Sequence, residues 1–283
     1  MFYPQRPLKP LRPLVPYVGN GINSIPEEEL AKAKAYFEEI NSHPEPMISV
    51  SLIAWNEEEN LPATLMSLSL QKCKFPFEVL VVNNNSTDDT SGIINAFGIK
   101  EVLETKQGYP FARQAGLDAA RGKVIVSGDA DTLYAEGWVE ELAKPLLNDT
   151  SVTCTYGRHR ALEKDGKYGW QLWIYQWLKG VSIWMKHPKR PHLNSGGASM
   201  AFRKEDTFSF DGFVKEKVRG SDGIMAFNLG KKGKIKMITP ARSLIWTSMR
   251  RTEADGSLLS AAWIRIKSQM RYFFHYFSKQ KEH

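Results

Sequence analysis

The chain has 283 residues, 42% of them hydrophobic and 24% charged. This composition suits a globular protein with an ample core and excludes a disordered or fibrous chain. Lys and Arg outnumber Asp and Glu by 38 to 31, a net charge of +7 that suits nucleic acid, an anionic membrane surface or a phosphate-bearing small molecule without choosing among them.

No run approaches about 18 uninterrupted apolar residues, so no helix that spans a bilayer is expected. The proline-broken start MFYPQRPLKPLRPLVPYVG lacks the apolar stretch of a signal peptide, which predicts a cytoplasmic location. Cys73 and Cys154 are too few for a disulfide framework or a four-ligand zinc site and read as two buried thiols.

Residues 1–23, rich in proline with interspersed Arg and Lys, read as an extended arm without its own core. Ser24 and Glu27 have capping-box spacing, and a helix is predicted from Glu27 to Asn41 with Leu30, Ala33, Phe37 and Ile40 on one face. Pro44 and Pro46 end it, so residues 1–46 form an appendage packed on the main domain. From Met47 the pattern alternates. MISVSLIAW (47–55) is a strand and NEEENLPATLMSLSLQ a helix, followed by FEVLVVNN (77–84) as a strand buried on both faces. Then come a helix opened by Ser86, Thr87 and Asp88, the short strand EVLETK, and the helix PFARQAGLDAARG. KVIVSGDAD (123–131) is a strand, GWVEELAKPLL a helix and SVTCTYG a strand. Such alternation predicts a parallel sheet covered by helices, with ligands at the carboxyl ends of its strands. Three of those strands run into polar residues: Asn56 and Glu57; Asn83, Asn84 and Asn85; Asp129 and Asp131.

The second half is less regular. Residues 168–185 carry Trp170, Trp173, Trp177 and Trp184 mostly at helical spacing, which reads as core, as a stacking platform for sugar rings, or as a membrane-interface face. The basic loop HPKRPH, the small-residue turn NSGGAS (194–199), and a helix begun by Ser221 and Asp222 follow. Residues 251–283 read as an amphipathic helix, aromatic and basic, that suits either packing on the domain or peripheral attachment to anionic lipid.

Asp129-Ala130-Asp131 carries the sharpest chemistry. Two carboxylates one residue apart past a buried strand repel one another, and a hard divalent cation, Mg²⁺ or Mn²⁺, relieves this while accepting phosphate oxygens as further ligands. The same pair also reads as a solvated turn that caps the next helix. The amides of Asn83, Asn84 and Asn85 suit a base or ribose edge, and equally suit turn chemistry. Lys106, Arg113 and Arg121 offer cations for a diphosphate, or a solvated helix face.

Taken together, these pieces resemble the GT-A glycosyltransferases, specifically the large inverting family 2. The likeness runs from Ile48 to about Gly233 and is carried by five segments in order: Ala54-Trp55-Asn56-Glu57-Glu58, Val81 to Asp88, Gly108 to Gln114, Asp129-Ala130-Asp131, and Gly220-Ser221-Asp222-Gly223. It implies a Rossmann-like, mostly parallel sheet flanked by helices over residues 47–250, with the N-terminal extension and the C-terminal amphipathic helix outside it. It also implies roles. Ala54, Asn56 and Glu57 line the nucleotide pocket, and Asn84 faces the base where the family usually has Asp. Arg113 sits near the nucleotide or sugar, Asp129 near the ribose and donor sugar, and Asp131 holds the metal. Asp222 is the general base, preceded by Ser221 in place of the usual Glu. Gly197, in the small-residue loop, lies beneath the donor sugar, and Arg250 and Arg251 clamp the diphosphate.

The implied reaction moves a sugar from a nucleotide-diphosphate sugar to a hydroxyl of a glycan or lipid-linked acceptor, with Mg²⁺ or Mn²⁺. Nucleic acid is not an expected partner, and any membrane contact is peripheral, on the inner face. The competing readings are a sugar nucleotidyltransferase, which calls for a Gly-rich loop after the first strand, and a non-catalytic basic binding module.

Overall fold

A computed structural model describes residues 7–162, 169–213 and 220–248. Where it is described, the proline-rich start is not extended. Lys9–Tyr17 winds into 3-10 turns that seat Leu11 and Leu14 in the core, so the arm is packed on the body as expected, in another conformation. Pro fixes φ near the helical value, and short 3-10 turns tolerate its missing N–H. Helix α1 (Glu27–Asn41) buries Ala33 and Phe37, with Leu30 and Ile40 against the same cluster. Its N-cap is Pro26, without a side-chain cap; the Ser24 hydroxyl donates instead to the Gly21 carbonyl. The capping-box reading is corrected accordingly.

Strand β1 (Ile48–Ala54), helix α2 (Leu61–Leu68), strand β2 (Phe77–Asn83), helix α3 (Thr90–Ala96), strand β3 (Lys100–Leu103) and helix α4 (Tyr109–Ala119) follow. Then come β4 (Val124–Asp129), β5 (Thr132–Tyr134), α5 (Trp138–Asn148), β6 (Val152–Tyr156), β7 (His159–Leu162) and α6 (Gly169–Lys186). The last are β8 (Met200–Arg203), α7 (Ser221–Gly230), β9 (Lys234–Met237) and β10 (Ile245–Ser248). Seven strands form the main sheet in the order β3-β2-β1-β4-β8-β6-β9. β1, β2, β3 and β4 pair in parallel, as do β6 and β9, whereas β8 runs antiparallel to both β4 and β6. The sheet is thus mostly parallel and helix-flanked. β8 and the small sheet β5-β10-β7 have no counterpart in the sequence reading.

Two clusters sandwich the sheet. Val50, Leu52, Val79, Val81, Val124 and Val126 face α1, α2 and the proline-rich turns, while Ile53, Leu80, Val82, Ile125 and Phe202 face α4 and α7. Alternate residues of each strand supply the two layers, so β1 and β2 are buried along their whole length and mostly apolar, with buried polar exceptions such as Ser49, Ser51 and Glu78. Register sets the site: Ala54 lies opposite Asn83 and Ile53 opposite Asp129, bringing three polar strand ends to one edge.

Helix α6 departs from the core reading. Its buried side is narrow, with Leu172 and Gln176, and Trp170, Trp173, Trp177 and Trp184 are 68%, 45%, 49% and 73% exposed. Both thiols are free. Cys154 is buried and Cys73 only partly so, and burial raises them to about 12 and about 11. Among the described residues no helix is long and apolar enough to cross a membrane. The reading of residues 251–283 as an amphipathic helix lies outside the described residues, as do Arg250 and Arg251.

Candidate active site

The site is built at the carboxyl edge of β1, β2 and β4. After β1 the chain turns sharply at Asn56, whose φ of 53° is in the left-handed region that Asn tolerates. The turn is tied to the segment after β2. Asn56 N–H donates to Ser86 Oγ (3.0 Å), Thr87 N–H to Asn56 Oδ1 (2.8 Å), and Glu57 N–H to Thr90 Oγ1 (3.0 Å). Glu57 is buried and accepts a hydrogen bond from Asn60 Nδ2, and Ala54 carbonyl accepts one from Asn84 N–H. Asn84 uses both ends of its amide locally. Nδ2 donates to the Glu104 and Lys106 carbonyls (3.1 and 2.9 Å), and Oδ1 accepts from Gly108 N–H (2.7 Å). Asn84 thus pins residues 104–108 over the strand ends, with Lys106 stacked on the Phe111 ring.

The acidic turn after β4 is held from below. The Tyr134 hydroxyl, fully buried, accepts from Asp129 N–H (2.7 Å) and donates to Asp129 carbonyl (2.8 Å). Thr64 Oγ1 donates to Ala130 carbonyl and accepts from Thr132 N–H, and Ser248 N–H donates to Asp131 carbonyl. Burial keeps the Tyr134 phenol well above its usual pKa, so it stays protonated and able to play both roles. Tyr134, Thr64 and Ser248 escaped the sequence reading because each bond joins residues whose approach only the fold creates.

Arg113, on α4, is the hub. It is 4% exposed, and its Nη1 donates to Gly128 carbonyl (2.7 Å) and its Nη2 to Asp129 Oδ1 (2.5 Å). Its Nε lies 3.6 Å from Asp222 Oδ1. One guanidinium therefore bridges two carboxylates from segments nearly a hundred residues apart. The fork geometry of Arg makes this feasible where Lys offers a single point charge. Asp222 does not cap its own helix. Gly220, with φ of 89°, precedes α7, and Asp222 Oδ2 instead accepts from Gly197 N–H (3.0 Å). Asp222 Oδ1 is buried without a hydrogen-bond partner, as is Arg113 Nε, because 3.6 Å is an ion-pair distance and too long for a hydrogen bond. Burial raises the Asp222 pKa, against the lowering charge of Arg113 and with a further rise from Asp129. Gly197 is packed tightly over the pair. A Cβ there would fall 2.7 Å from Asp222 Oδ2, and closer still to Arg113 Nη2.

The structure brings Arg113, Asp129, Gly197 and Asp222 into contact, with Asp131 one turn away from Asp129 in the chain. Ala54, Asn56, Glu57 and Asn84 stand at the neighbouring strand ends. Arg121, by contrast, is spent on Glu78 (2.7 Å) and on the carbonyls of His43 and Asn41. Among the described residues no three His, Cys, Asp or Glu side chains converge on one point. The donor set still fits Mg²⁺ or Mn²⁺: Asp131 supplies a hard oxygen beside an open edge, and such ions take most of their shell from water and substrate phosphates.

An α/β sheet whose strand ends gather carboxylates, amides and one buried Arg places a candidate ligand site at its carboxyl edge. Comparison with known proteins narrows this. The family model "Glycosyl transferase family 2" matches residues 49–208, and the chain belongs to that family. An uncharacterized glycosyltransferase of Mycobacterium bovis is 35% identical over 113 residues, 40% of this chain and 49% of the relative; the chain thus spans about half the length of that relative. The glycosyltransferase AglE of Haloferax volcanii is 32% identical over 102 residues, 34% of each chain. Among solved structures, a mannosyltransferase from Pyrobaculum calidifontis in complex with GDP-Man and Mn²⁺ aligns with a TM-score of 0.53 at 19% identity, over 83% of this chain and 68% of that one. Glucosyl-3-phosphoglycerate synthase from Mycobacterium tuberculosis, with Mn²⁺, UDP-glucose and phosphoglyceric acid, aligns with a TM-score of 0.51 at 20% identity, over 75% and 74%. These two likenesses establish the GT-A fold.

Proposed function

We propose that this protein is an inverting, metal-dependent glycosyltransferase that moves a sugar from a nucleotide-diphosphate donor to an acceptor hydroxyl on a glycan or a lipid-linked molecule. The observation that carries the reading is the bridge Asp129–Arg113–Asp222, which fixes a donor-side carboxylate and a desolvated carboxylate on one cation.

In this reading Asp222 takes the proton of the acceptor hydroxyl as its oxygen bonds to the anomeric carbon, and the bond from that carbon to the diphosphate breaks. Its raised pKa makes it a stronger base than an ordinary Asp. Gly197 N–H holds Oδ2 and fixes the direction of Oδ1. Arg113 holds Asp129 by a hydrogen bond and aims it at the ribose and donor sugar. Asp131 would hold Mg²⁺ or Mn²⁺, which supplies Lewis-acid stabilisation of the departing diphosphate. Ala54, Asn56 and Glu57 form the floor of the nucleotide pocket. Asn84 acts there through the loop it pins, and Arg250 and Arg251 complete the diphosphate clamp. The exposed tryptophans of α6 support peripheral contact with the inner face of a membrane.

The test is turnover of a panel of nucleotide sugars, read as nucleoside diphosphate released, with and without Mn²⁺. Mn²⁺-dependent release from one donor, abolished by Asp131→Ala, is expected; no release from any donor contradicts the reading.

A further inference from the structure

Behind the loop that carries Gly197, and reached from it through His159, lies a cavity of about 460 Å³. One wall is Arg158, His159 and Arg160, at the start of β7, and the other is α6, with Trp173, Trp177 and Lys179. Three cations, Arg158, Arg160 and Lys179, line it, and no carboxylate does among the described residues. A concave site walled by one sign of charge focuses potential and gathers the opposite charge. Lys179 makes no ion pair among the described residues, and burial, with the charge of Arg160, lowers it to about 8. Lys179 is half-buried on α6, and a cation so placed with no carboxylate beside it is stabilised by a bound anion. His159, lowered to about 3 by burial and by Lys179, is neutral and offers a ring N–H. Trp173 and Trp177, one turn apart on α6 and half exposed, add flat apolar faces beside these charges. Cations plus aromatic faces select an anion attached to a ring or an apolar body.

The cavity communicates with the base through short links. A Cβ on Gly196 would lie 3.7 Å from His159 Cε1. Asn194 Nδ2 donates to the Ile183 carbonyl of α6 (3.0 Å), and Gly197 N–H donates to Asp222. We propose that this cavity is the acceptor's anion subsite, binding the phosphate of a phosphorylated acceptor whose hydroxyl is turned toward Asp222. The placement of the hydroxyl rests on the glycosyltransferase reading above; the binding of phosphate does not.

Calorimetry with inorganic phosphate and with phenyl phosphate, in the presence of UDP to fill the donor site, tests the subsite directly. Lys179→Gln, checked for an unchanged melting temperature, is expected to weaken both about tenfold, the scale of one lost charge-assisted hydrogen bond. Trp177→Ala is expected to weaken phenyl phosphate and leave inorganic phosphate unchanged. Separate titration of UDP with Mn²⁺ is expected to be the same in Lys179→Gln as in the wild type, so loss of nucleotide binding would strike the function and not the subsite. Sedimentation with phosphatidic acid vesicles that depends on Lys179 would assign the anion to a lipid headgroup; soluble binding without sedimentation would assign it to a free phosphorylated acceptor. The proposal is overturned if neither phosphate binds the wild type, or if Lys179→Gln binds both as the wild type does.

Discussion

Replacing Gly197 by Ala probes the core of the site with a single methyl group. The new Cβ would fall 2.7 Å from Asp222 Oδ2, 2.8 Å from Arg113 Cζ, and closer still to Arg113 Nη2. Carbon and nitrogen without a bond between them rest at about 3.5 Å, so the methyl demands a displacement on the order of 1 Å. Arg113 cannot yield freely, because its guanidinium is buried and held by bonds of 2.7 and 2.5 Å to Gly128 and Asp129. The strain therefore falls on the Arg113–Asp222 pair. Overpacking of this kind costs about 1–3 kcal/mol in stability, and a shift of about 1 Å at a reacting group costs about 10²-fold in rate. Thermal melting gives the first number, and nucleoside diphosphate release under saturating donor gives the second. Gly196→Ala is the control, since its backbone is extended and its Cβ would meet only His159 at 3.7 Å, an ordinary contact. Turnover by Gly197→Ala at the rate of that control would refute the claim that close backbone approach positions the base.

Asp222→Asn is expected to lower transfer about 10²–10⁴-fold while nucleotide binding persists, checked by single-turnover kinetics beside calorimetry; equal loss of both would make Asp222 a binding residue. Burial raises the Asp222 pKa, so its basic form is lost on the acid side at a higher pH than for an ordinary Asp, at about 3.9. The pH profile of kcat is expected to fall as pH drops through that raised value, and a rate that stays flat down to about pH 4 would contradict it. Tyr134→Phe removes the hydroxyl that serves both Asp129 N–H and Asp129 carbonyl, leaving two polar groups without it. A loss of about 1–3 kcal/mol in denaturant unfolding is expected, with turnover reduced because the acidic turn loosens.

The sheet's centre was legible because β1, β2 and the first part of β4 are short, mostly apolar runs rich in β-branched residues, and that pattern has few alternatives in an alternating chain. Their polar ends marked the site for the same reason, since a buried strand must emerge somewhere. Less could be read where pairing is distant. β8 has four residues, and its place beside β4 and β6 depends on those strands being there first. β5, β7 and β10 are similar fragments joined across much of the chain. Helical spacing placed the tryptophans on α6 but is silent on what the helix faces; among its described residues Leu172 and Gln176 are buried, with Tyr175 partly buried beside Leu172. Arg113 was picked out as a cation near the donor. That it bridges Asp129 and Asp222 is a property of α4, β4 and α7 together. Asn84 was singled out as a base reader, yet the structure spends its amide on residues 104–108, a use that depends on where that loop returns.

Direct titration of UDP and GDP into the wild type and into Asp131→Asn, with Mn²⁺ present and then chelated, weighs the account as a whole. Binding of one nucleotide that requires both Mn²⁺ and the Asp131 carboxylate is the predicted result. Binding of neither nucleotide under any condition, or equal binding by both proteins without the metal, would contradict it.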